Sequence, residues 1–391
     1  MAGLTLPDAQ WRDRPGLQEL ARVLGAGHAR FVGGAVRDTL LGIDVSDVDI
    51  ATSHRPERVI DLLQAARIKV VPTGLAHGTV TAVTQDGPVE VTTLRRDVAT
   101  DGRHATVAFT DDWREDAARR DFTINALYAD PLTGAVSDYF GGVEDLAARR
   151  VRFIGDPLRR IAEDHLRILR FFRFLARFGD SPDPDGLEAC VARANDLMAL
   201  SRERIRDELL KLLVARNAVA ITRMMVERGI LAPVLPEITP AGVARMAALA
   251  RIEPQPDALR RLVALLPDAA AVESVGARLK LSNQQRKRIA SAAEPIGTAR
   301  PHELGYRLGV AGAIDRLLLA GEPIDTLGAW APPTLPVTGG ALVQMGLRKG
   351  PLVAATLRRI EDRWIAAGFP QEIDAIVADE VAQALRSTSS R

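Results

Sequence analysis

The stretch FVGGAVRDTLLGIDVSDVDIAT, residues 31–52, decides the fold of the first part of the chain. A short apolar strand ends at Gly33 and Gly34, AVRDTLLG is typical of a helix, and DVDIAT follows as a second strand. Bare backbone amides at such a strand-to-helix corner can receive phosphate oxygens, and Arg37 is placed to add a charged fork. The pattern predicts a phosphate site at the glycine corner.

Asp47 and Asp49 open the second strand with one residue between them. On a strand, a period of two points both carboxylates to the same face. Two hard oxygen ligands, completed by substrate phosphates, form the kind of site that magnesium prefers. A glycine pair or an isolated D-x-D is more often a turn or a helix cap, but the two together in strand–helix–strand order predict a metal-dependent catalytic site.

The sequence around this stretch continues the mixed pattern. PERVIDLLQAA is typical of a helix, and GTVTAV and PVEVTTLR alternate like the two strands of an antiparallel hairpin. Glu90 lies on the face opposite Val89 and Val91, beside the expected position of the aspartates. It could act as a general base or complete a two-metal site. A solvent-facing strand residue fits the pattern equally well.

Two later motifs carry further candidates. In RRDFTINAL, residues 119–127, Arg120 could contact phosphate, while Asp121 and Asn125 could bond a ribose or cap the element. EDHLRILRFFRF, residues 163–174, is interpreted as one helix on which Asp164 and Arg167 are surface neighbours. Arg170 and Arg173 extend a basic ridge from that pair.

The pair of Asp164 and Arg167 has two interpretations. A helix decorated with salt bridges accounts for the spacing alone. Alternatively, a carboxylate acceptor beside a guanidinium donor complements the Watson–Crick edges of cytosine and adenine, which present an amino donor next to a ring-nitrogen acceptor. Guanine and uracil present the reverse order. In that interpretation the pair selects C and A.

Composition limits the class of protein. The chain has 391 residues, is 47% hydrophobic and has a net charge of +1, so any RNA surface must come from local clusters of basic groups. Cys190 is the only cysteine, which suits a reducing compartment. The N-terminus lacks a signal-peptide pattern, and the longest uncharged run contains three prolines, among them Pro332 and Pro333. We expect a soluble cytoplasmic protein with no membrane span; its oligomeric state stays open.

Together, GGAVRD…DVD, RRDFTINAL, EDHLRILR and SRERIRDELLKLL resemble, in order, the motifs of bacterial class II CCA-adding tRNA nucleotidyltransferases, within the polymerase-beta-like superfamily. The resemblance covers about residues 29–215. It implies an α+β protein, in which an α/β nucleotidyltransferase head precedes an all-helical neck, body and tail. The expected segments are an N-terminal helical segment, 1–28; the catalytic head, 29–150; the neck, 151–215; the body, 216–330; and the tRNA-binding tail, 331–391.

The resemblance also implies roles. Gly34, Arg37 and Arg120 would bind the nucleotide, as Gly33 is expected to do from its place at the glycine corner. Asp47 and Asp49 would hold Mg²⁺, and Asp164, Arg167, Arg170 and Arg173 would select the base. Arg95–Trp113 is similar to the family's flexible loop, and Asp138–Asp145 to its head–neck hinge. The tail is expected to contact tRNA, with CTP and ATP as substrates. Alternatives are a poly(A) polymerase, a partial CC-adding or A-adding enzyme, and an RNA-binding protein with a degenerate head.

Overall fold

The computed structural model describes the backbone of residues 4–101 and 104–389. It describes the side chains of these residues except those of 97–107 and 388–389. The chain divides into two compact units. Unit 1 comprises Met1–Ala244, Pro256–Ala258 and Ala277–Leu281, and unit 2 comprises Arg245–Gln255, Leu259–Gly276 and Ser282–Arg391. The finer division into five segments remains a prediction. No helix of the described chain is both long and apolar enough to cross a membrane.

Unit 1 contains all the strands that the structure describes. They are β1 Ala29–Val32, β2 Asp49–Thr52, β3 Lys69–Gly74, β4 Thr79–Thr84, β5 Gly87–Thr93, β6 Arg95–Asp101, β7 His104–Phe109, β8 Leu127–Ala129, β9 Val136–Asp138, β10 Arg150–Val151 and β11 Ser181–Pro182. Seven of them form a mixed sheet in the order β3-β4-β5-β2-β1-β8-β9. Within it β2 and β5 pair in parallel, and the other neighbours are antiparallel.

The helices of unit 1 are α1 Pro15–Leu24, α2 Gly34–Leu40, α3 Pro56–Ala65, α4 Trp113–Ala118, α5 Gly142–Ala147, α6 Pro157–Glu163, α7 Leu166–Phe178, α8 Pro184–Ala192, α9 Arg202–Leu213, α10 Ala218–Glu227 and α11 Pro240–Leu249, the last of which continues into unit 2. Those that follow are α12 Ala258–Leu265, α13 Ala269–Arg278, α14 Asn283–Ala293, α15 Pro301–Leu308, α16 Val310–Ala320, α17 Gly339–Gln344, α18 Pro351–Ala366 and α19 Asp374–Ser389. The predicted α+β class, a mixed α/β head followed by helices, is therefore confirmed. A 3₁₀ turn at Thr123–Asn125 belongs to the head.

The predicted strand–helix–strand unit is present and places its polar ends at one edge of the sheet. Phe31 and Ile50 are fully buried partners on β1 and β2. The same register sets Val32 opposite Asp49, and the parallel pairing sets Asp49 opposite Glu90. The apolar residues of these strands therefore fix the pairing in the sheet. The strand ends then bring together Asp49 and Glu90, which are distant in sequence.

The segment 163–174 differs from its prediction as a single helix. The chain leaves helical geometry at Asp164, with φ −153° and ψ 107°, so that α6 ends at Glu163 and α7 begins at Leu166. Oδ1 of Asp164 accepts the Leu166 amide at 3.1 Å, which caps the second helix. Asp164 and Arg167 are therefore not neighbours on one helix surface. The short parallel pair of β10 and β11 is a second departure from an all-helical neck.

The segment expected to be a flexible loop, Arg95–Trp113, contains the antiparallel pair β6 and β7. The sequence holds a signal for this that the prediction passed over, since Asp101–Gly102 stands between two β-prone stretches. Residues 102–103, and the side chains of 97–107, lie outside what the structure describes, so a switching role for this segment stays a prediction.

Candidate active site

Two clefts of unit 1 meet at Asp49, which lines both. The first, the arginine-rich cleft, has a volume of ≈ 420 Å³ and is lined by Gly33, Gly34, Arg37, Asp49, Arg120, Asp121, Asn125, Asp164, Leu166, Arg167, Arg170, Phe174 and Arg204. The second, the carboxylate cleft, has a volume of ≈ 570 Å³ and is lined by Arg14, Leu17, Ser46, Asp47, Val48, Asp49, Thr81, Asp86, Gly87, Pro88, Val89 and Glu90. The sequence-predicted residues thus fall on the two sides of one carboxylate.

Asp49 stands in a strongly negative environment. Asp47, Asp49 and Glu90 are all exposed, whereas the adjacent Val48 and Val89 are buried, so the three carboxylates lie on the side of the backbone away from the core. Although solvent still reaches Asp49, the protein atoms around its carboxylate partly desolvate it and raise its pKa; Glu90 and Asp47 raise the pKa further, and Arg120 opposes them. A carboxylate so placed is stabilised by a bound cation.

Asp47 lies just outside β2, which begins at Asp49, and its Oδ2 accepts the Ser46 hydroxyl at 2.9 Å. Among the residues that the structure describes, no group of three or more His, Cys, Asp or Glu side chains could by itself hold a metal ion. Two carboxylates that leave further positions to substrate phosphates fit the coordination habit of magnesium. The donor set of Asp47 and Asp49 therefore suits a divalent ion that binds together with its substrate.

The glycine corner lies on the other side of Asp49. Gly33 has φ +68°, a conformation that favours glycine, and its amide donates to the Leu127 carbonyl at 3.1 Å. A Cβ at Gly33 would lie 3.4 Å from Nη1 of Arg120. Gly34 then begins α2 with an open backbone. The corner brings bare backbone to the arginines of the cleft.

The guanidinium of Arg120 is held in place by Tyr128 and Asp116. Its Nε donates to the Tyr128 hydroxyl at 3.2 Å, and Nη2 lies 3.4 Å from Oδ2 of Asp116. Burial lowers the pKa of Arg120, but Tyr128 and Asp116 outweigh it and the pKa is raised. The Tyr128 hydroxyl in turn donates to Asp116 at 2.6 Å. Arg120 therefore keeps its charge and a fixed position while it lines the cleft.

Arg37 is not the free fork that the sequence predicts. It is 6% exposed, Nε donates to Asp38 at 2.7 Å, and Nη1 donates to Oδ1 of Asn125 at 2.5 Å. Its guanidinium also lies 4.2 Å from the centre of the Phe178 ring. Arg37 lines the cleft, but its donors are already engaged within the fold.

A buried polar chain connects Arg37 to the helix of the predicted base-selecting residues. Asn125 donates through Nδ2 to Oδ1 of Asp121 at 2.9 Å, and Arg170 donates through Nε to Oδ2 at 2.7 Å. Burial raises the pKa of Asp121, but Arg170 and the hydrogen bonds outweigh it and hold the pKa below its usual range. Asp121 thus connects the segment that follows α4 to α7. Its side chain does not cap a helix, contrary to one of the two predicted roles.

The predicted pair of Asp164 and Arg167 is arranged differently from its expectation. Oδ2 of Asp164 accepts Nη2 of Arg204 at 2.8 Å, whereas Arg167 donates to Glu163 at 2.6 Å and to the Arg160 carbonyl at 2.7 Å. Both Asp164 and Arg167 still line the arginine-rich cleft. A carboxylate and a guanidinium therefore face the same space, each held by its own partner.

Arg173 lies apart from the other predicted residues. Its Nε donates to Oε2 of the buried Glu208 at 2.6 Å, and it lines a neighbouring cleft with Arg177, Lys211 and Arg216. Glu208 also lies 4.0 Å from Arg170. Arg173 is thus connected to the cleft through Glu208 and Arg170.

The sequence prediction missed two residues that line these clefts, Arg204 and Arg14, and also Glu208, which contacts Arg170 and Arg173. Arg204 and Glu208 are four apart in SRERIRDELLKLL, a spacing that marks one helix face but reveals nothing about its distant partners. Arg14 precedes the head, in a segment without a motif. No local signal identifies any of the three, because their neighbours in space are remote in sequence.

Comparison with known proteins agrees with this architecture. Residues 29–152 match the family described as the poly A polymerase head domain, and residues 181–241 match "Probable RNA and SrmB- binding site of polymerase A". The human mitochondrial CCA tRNA nucleotidyltransferase 1 is 33% identical over 89% of this chain and 85% of its own. The chain belongs to the CCA tRNA nucleotidyltransferase and poly(A) polymerase family. Its resemblance to the family's bacterial members is confirmed.

Two bacterial family members extend the comparison. The CCA-adding enzyme of Levilactobacillus brevis is 32% identical over 95% of this chain and 98% of its own. The crystal structure of the Bacillus stearothermophilus CCA-adding enzyme in complex with CTP matches with a TM-score of 0.79 and 28% identity, over 97% of this chain and 100% of that one. The likeness to this family therefore extends over both units.

Proposed function

We propose that this protein adds C, C and A to the 3′ end of tRNA, using CTP and ATP, without a nucleic-acid template. The observation that carries the proposal is the meeting of the two clefts at Asp49, one rich in arginine and the other in carboxylates. The family relatives named for CCA addition cover most of the chain and support the same activity.

The arginine-rich cleft suits the triphosphate. Five arginines line it against three aspartates, and Gly33 and Gly34 leave backbone accessible beside Arg120. We assign the phosphates to this glycine corner and to Arg120. The buried chain through Arg37, Asn125 and Asp121 holds the corner and α7 in a fixed relation, which preorganises the site.

We assign Asp47 and Asp49 to a divalent cation, and magnesium is the ion that their oxygen donors favour. When bound, such an ion neutralises charge on the reacting phosphate and lowers the pKa of the attacking hydroxyl. The 3′-hydroxyl oxygen forms the new bond to the α-phosphorus, and the bond to the leaving pyrophosphate breaks. Glu90, next to Asp49 across the strand pair, is assigned as the group that takes the hydroxyl proton.

For the nucleobase we assign Asp164 and Arg167, which face the same cleft as an acceptor and a donor. The amino group of C or A would bond the Asp164 carboxylate, and the ring nitrogen would accept from Arg167. Arg204 holds Asp164, and Arg170 is fixed by Asp121. G and U would leave these groups unpaired, which costs binding energy.

A direct test supplies tRNA lacking its 3′ CCA with each labelled triphosphate in turn, with and without EDTA. We expect label from CTP to enter the RNA, GTP and UTP to give little, and EDTA to stop transfer. Transfer unaffected by EDTA contradicts the metal assignment. No transfer from any triphosphate contradicts the enzyme and favours an RNA-binding protein with an inactive head.

One alternative has an observation of its own. The family description of the head names poly(A) polymerase, and such an enzyme would use the same two clefts. The distinction lies in the length of the product, because one C- and A-selecting pocket serves both activities.

A further inference from the structure

Arg14 contributes a positive charge to the edge of the carboxylate cleft. It is half-buried, and it lines that cleft together with Asp47, Asp49 and Glu90. Within the described part of the chain, its guanidinium makes no hydrogen bond and no ion pair. The arginines of the other cleft are engaged by carboxylates, carbonyls or hydroxyls, so Arg14 differs from them.

The position of Arg14 is fixed by its neighbours. The amide of Gly16 donates to Oδ2 of Asp86 at 2.6 Å, in the turn between β4 and β5. A Cβ at Gly16 would lie 2.8 Å from Thr84, so the two segments approach as closely as glycine permits. Pro15 restricts the backbone between them. Arg14 is therefore anchored to the hairpin whose second strand carries Glu90.

The charge of Arg14 is not used to neutralise the catalytic carboxylate. Arg14 lines the same cleft as Asp47, Asp49 and Glu90, but within the described part of the chain it forms no ion pair with any of them. Arg120, which lines the arginine-rich cleft together with Asp49, is already engaged by Tyr128 and Asp116. An anionic group that enters the carboxylate cleft would find Arg14 available.

On the basis of the proposed function, the geometry of the reaction identifies the anionic group that Arg14 would bind. In-line displacement requires the attacking and leaving oxygens on opposite sides of the α-phosphorus. If the triphosphate occupies the arginine-rich cleft, the RNA 3′-hydroxyl must approach Asp49 from the carboxylate cleft. The terminal nucleotide carries one phosphodiester on its 5′ side, and a guanidinium binds such a group through paired hydrogen bonds.

We propose that the carboxylate cleft receives the 3′-terminal nucleotide of the RNA and that Arg14 binds the phosphodiester on its 5′ side. The segment before the head thereby becomes part of the RNA-binding site. Arg14 acts in holding the primer, and the triphosphate site is independent of it.

The test uses the full chain and a tRNA whose last nucleotide lacks the 3′-hydroxyl, so that binding is read without turnover. Arg14→Ala is expected to weaken binding about tenfold, the usual loss for one charge-assisted contact. Arg14→Lys should recover part of this loss, and the KM for CTP measured on ordinary tRNA should stay unchanged. Arg22→Ala, on the exposed far end of α1, is the matched control and should bind as the wild type does.

A second substrate locates the contact. A methylphosphonate in place of the last phosphodiester removes its charge. The wild type should lose about as much affinity as Arg14→Ala loses on ordinary tRNA, and Arg14→Ala should lose no more on the modified RNA. Additive losses, or equal binding by Arg14→Ala and wild type, overturn the proposal. A wild type that binds as expected but transfers no nucleotide contradicts the proposed function and leaves the Arg14 contact supported.

Discussion

Asp49 connects the two halves of the site, because it is the residue that both clefts share. Replacing Asp47 or Asp49 by asparagine removes a negative oxygen ligand, and we expect transfer to fall on the order of a hundredfold or more. RNA binding should persist, since it depends on other groups. Asp44→Asn, on an exposed residue of the same loop, is the control. Transfer within tenfold of wild type in the Asp49 variant would contradict the assignment.

Arg167 tests base selection at the same scale. Arg167→Ala should lose discrimination among the four triphosphates more than overall affinity, by an amount on the order of a few kcal/mol. Incorporation from CTP, ATP, GTP and UTP is measured side by side. Arg159→Ala removes a guanidinium from the neighbouring α6, where the side chain is 82% exposed, and should change nothing. An equal fall for all four nucleotides would make Arg167 a structural contact.

The candidate residues could be predicted from the sequence because each belongs to a short motif whose residue types suit a particular chemistry. The strand and helix periods alone predict the glycine corner and the pair Asp47 and Asp49. The partners of these residues could not be read in the same way. Asp164 bonds Arg204 and Arg37 bonds Asn125, and each of these bonds depends on how distant elements pack.

At the scale of elements, the chain from Arg37 to Arg170 links α2, the 3₁₀ turn and α7. Asp121→Asn leaves the buried side of Arg170 without its charge partner, and we expect a loss of about 3 kcal/mol of unfolding free energy near neutral pH. Urea unfolding measures it, with Asp111→Asn, an exposed residue, as the control. A loss no larger than that of the control would show that the chain does not stabilise the fold.

The pH dependence of this loss has a fixed sign. The pKa of Asp121 is lowered in the folded protein, so its carboxylate stabilises the fold fully above the unfolded pKa of about 3.9. That stabilisation disappears as the pH falls through the lower folded pKa. The difference between wild type and Asp121→Asn should therefore shrink in acid. A difference that grows in acid would contradict the ion pair with Arg170.

The break between α6 and α7 shows where element prediction fails. Apolar residues recur at helical spacing through the whole neck segment, so the period continues across Asp164. The structure ends one helix there because the Asp164 carboxylate caps the next, and because Arg204 on α9 holds its other oxygen. A local period cannot register such a tertiary contact. The consequence is functional, since the break turns Asp164 toward the cleft that Arg167 also lines.

At the scale of the whole molecule, the basic residues of unit 2 differ in whether carboxylates of the same unit hold them. Arg288 and Arg359 are bound to carboxylates, at 2.7 Å from Asp315 and Glu380 respectively. Arg348, Lys349 and Arg358 are exposed, and within the described residues they make no ion pair. The exposed group offers charge to RNA phosphates. The near-neutral chain, with a net charge of +1, suits recognition of one folded RNA better than a grip on any RNA.

A pocket that selects only C and A does not by itself limit how many nucleotides are added. Another feature of the enzyme must therefore stop the RNA 3′ end from growing. If the enzyme holds the folded part of tRNA, the 3′ end can advance only as far as that hold permits. The length of the product therefore separates CCA addition from poly(A) addition. ATP alone should extend a tRNA lacking CCA very little, because C must enter first, and an unstructured RNA should be a poor primer.

The most direct measurement is gel sizing of the product from tRNA lacking CCA, supplied with both CTP and ATP, as a function of time. We expect the RNA to gain C, C and A and then to stop, at every enzyme concentration that completes the reaction. An unstructured RNA of similar length serves as the control primer. Tails of A that keep growing with time, on either RNA, would contradict CCA addition and identify a poly(A) polymerase.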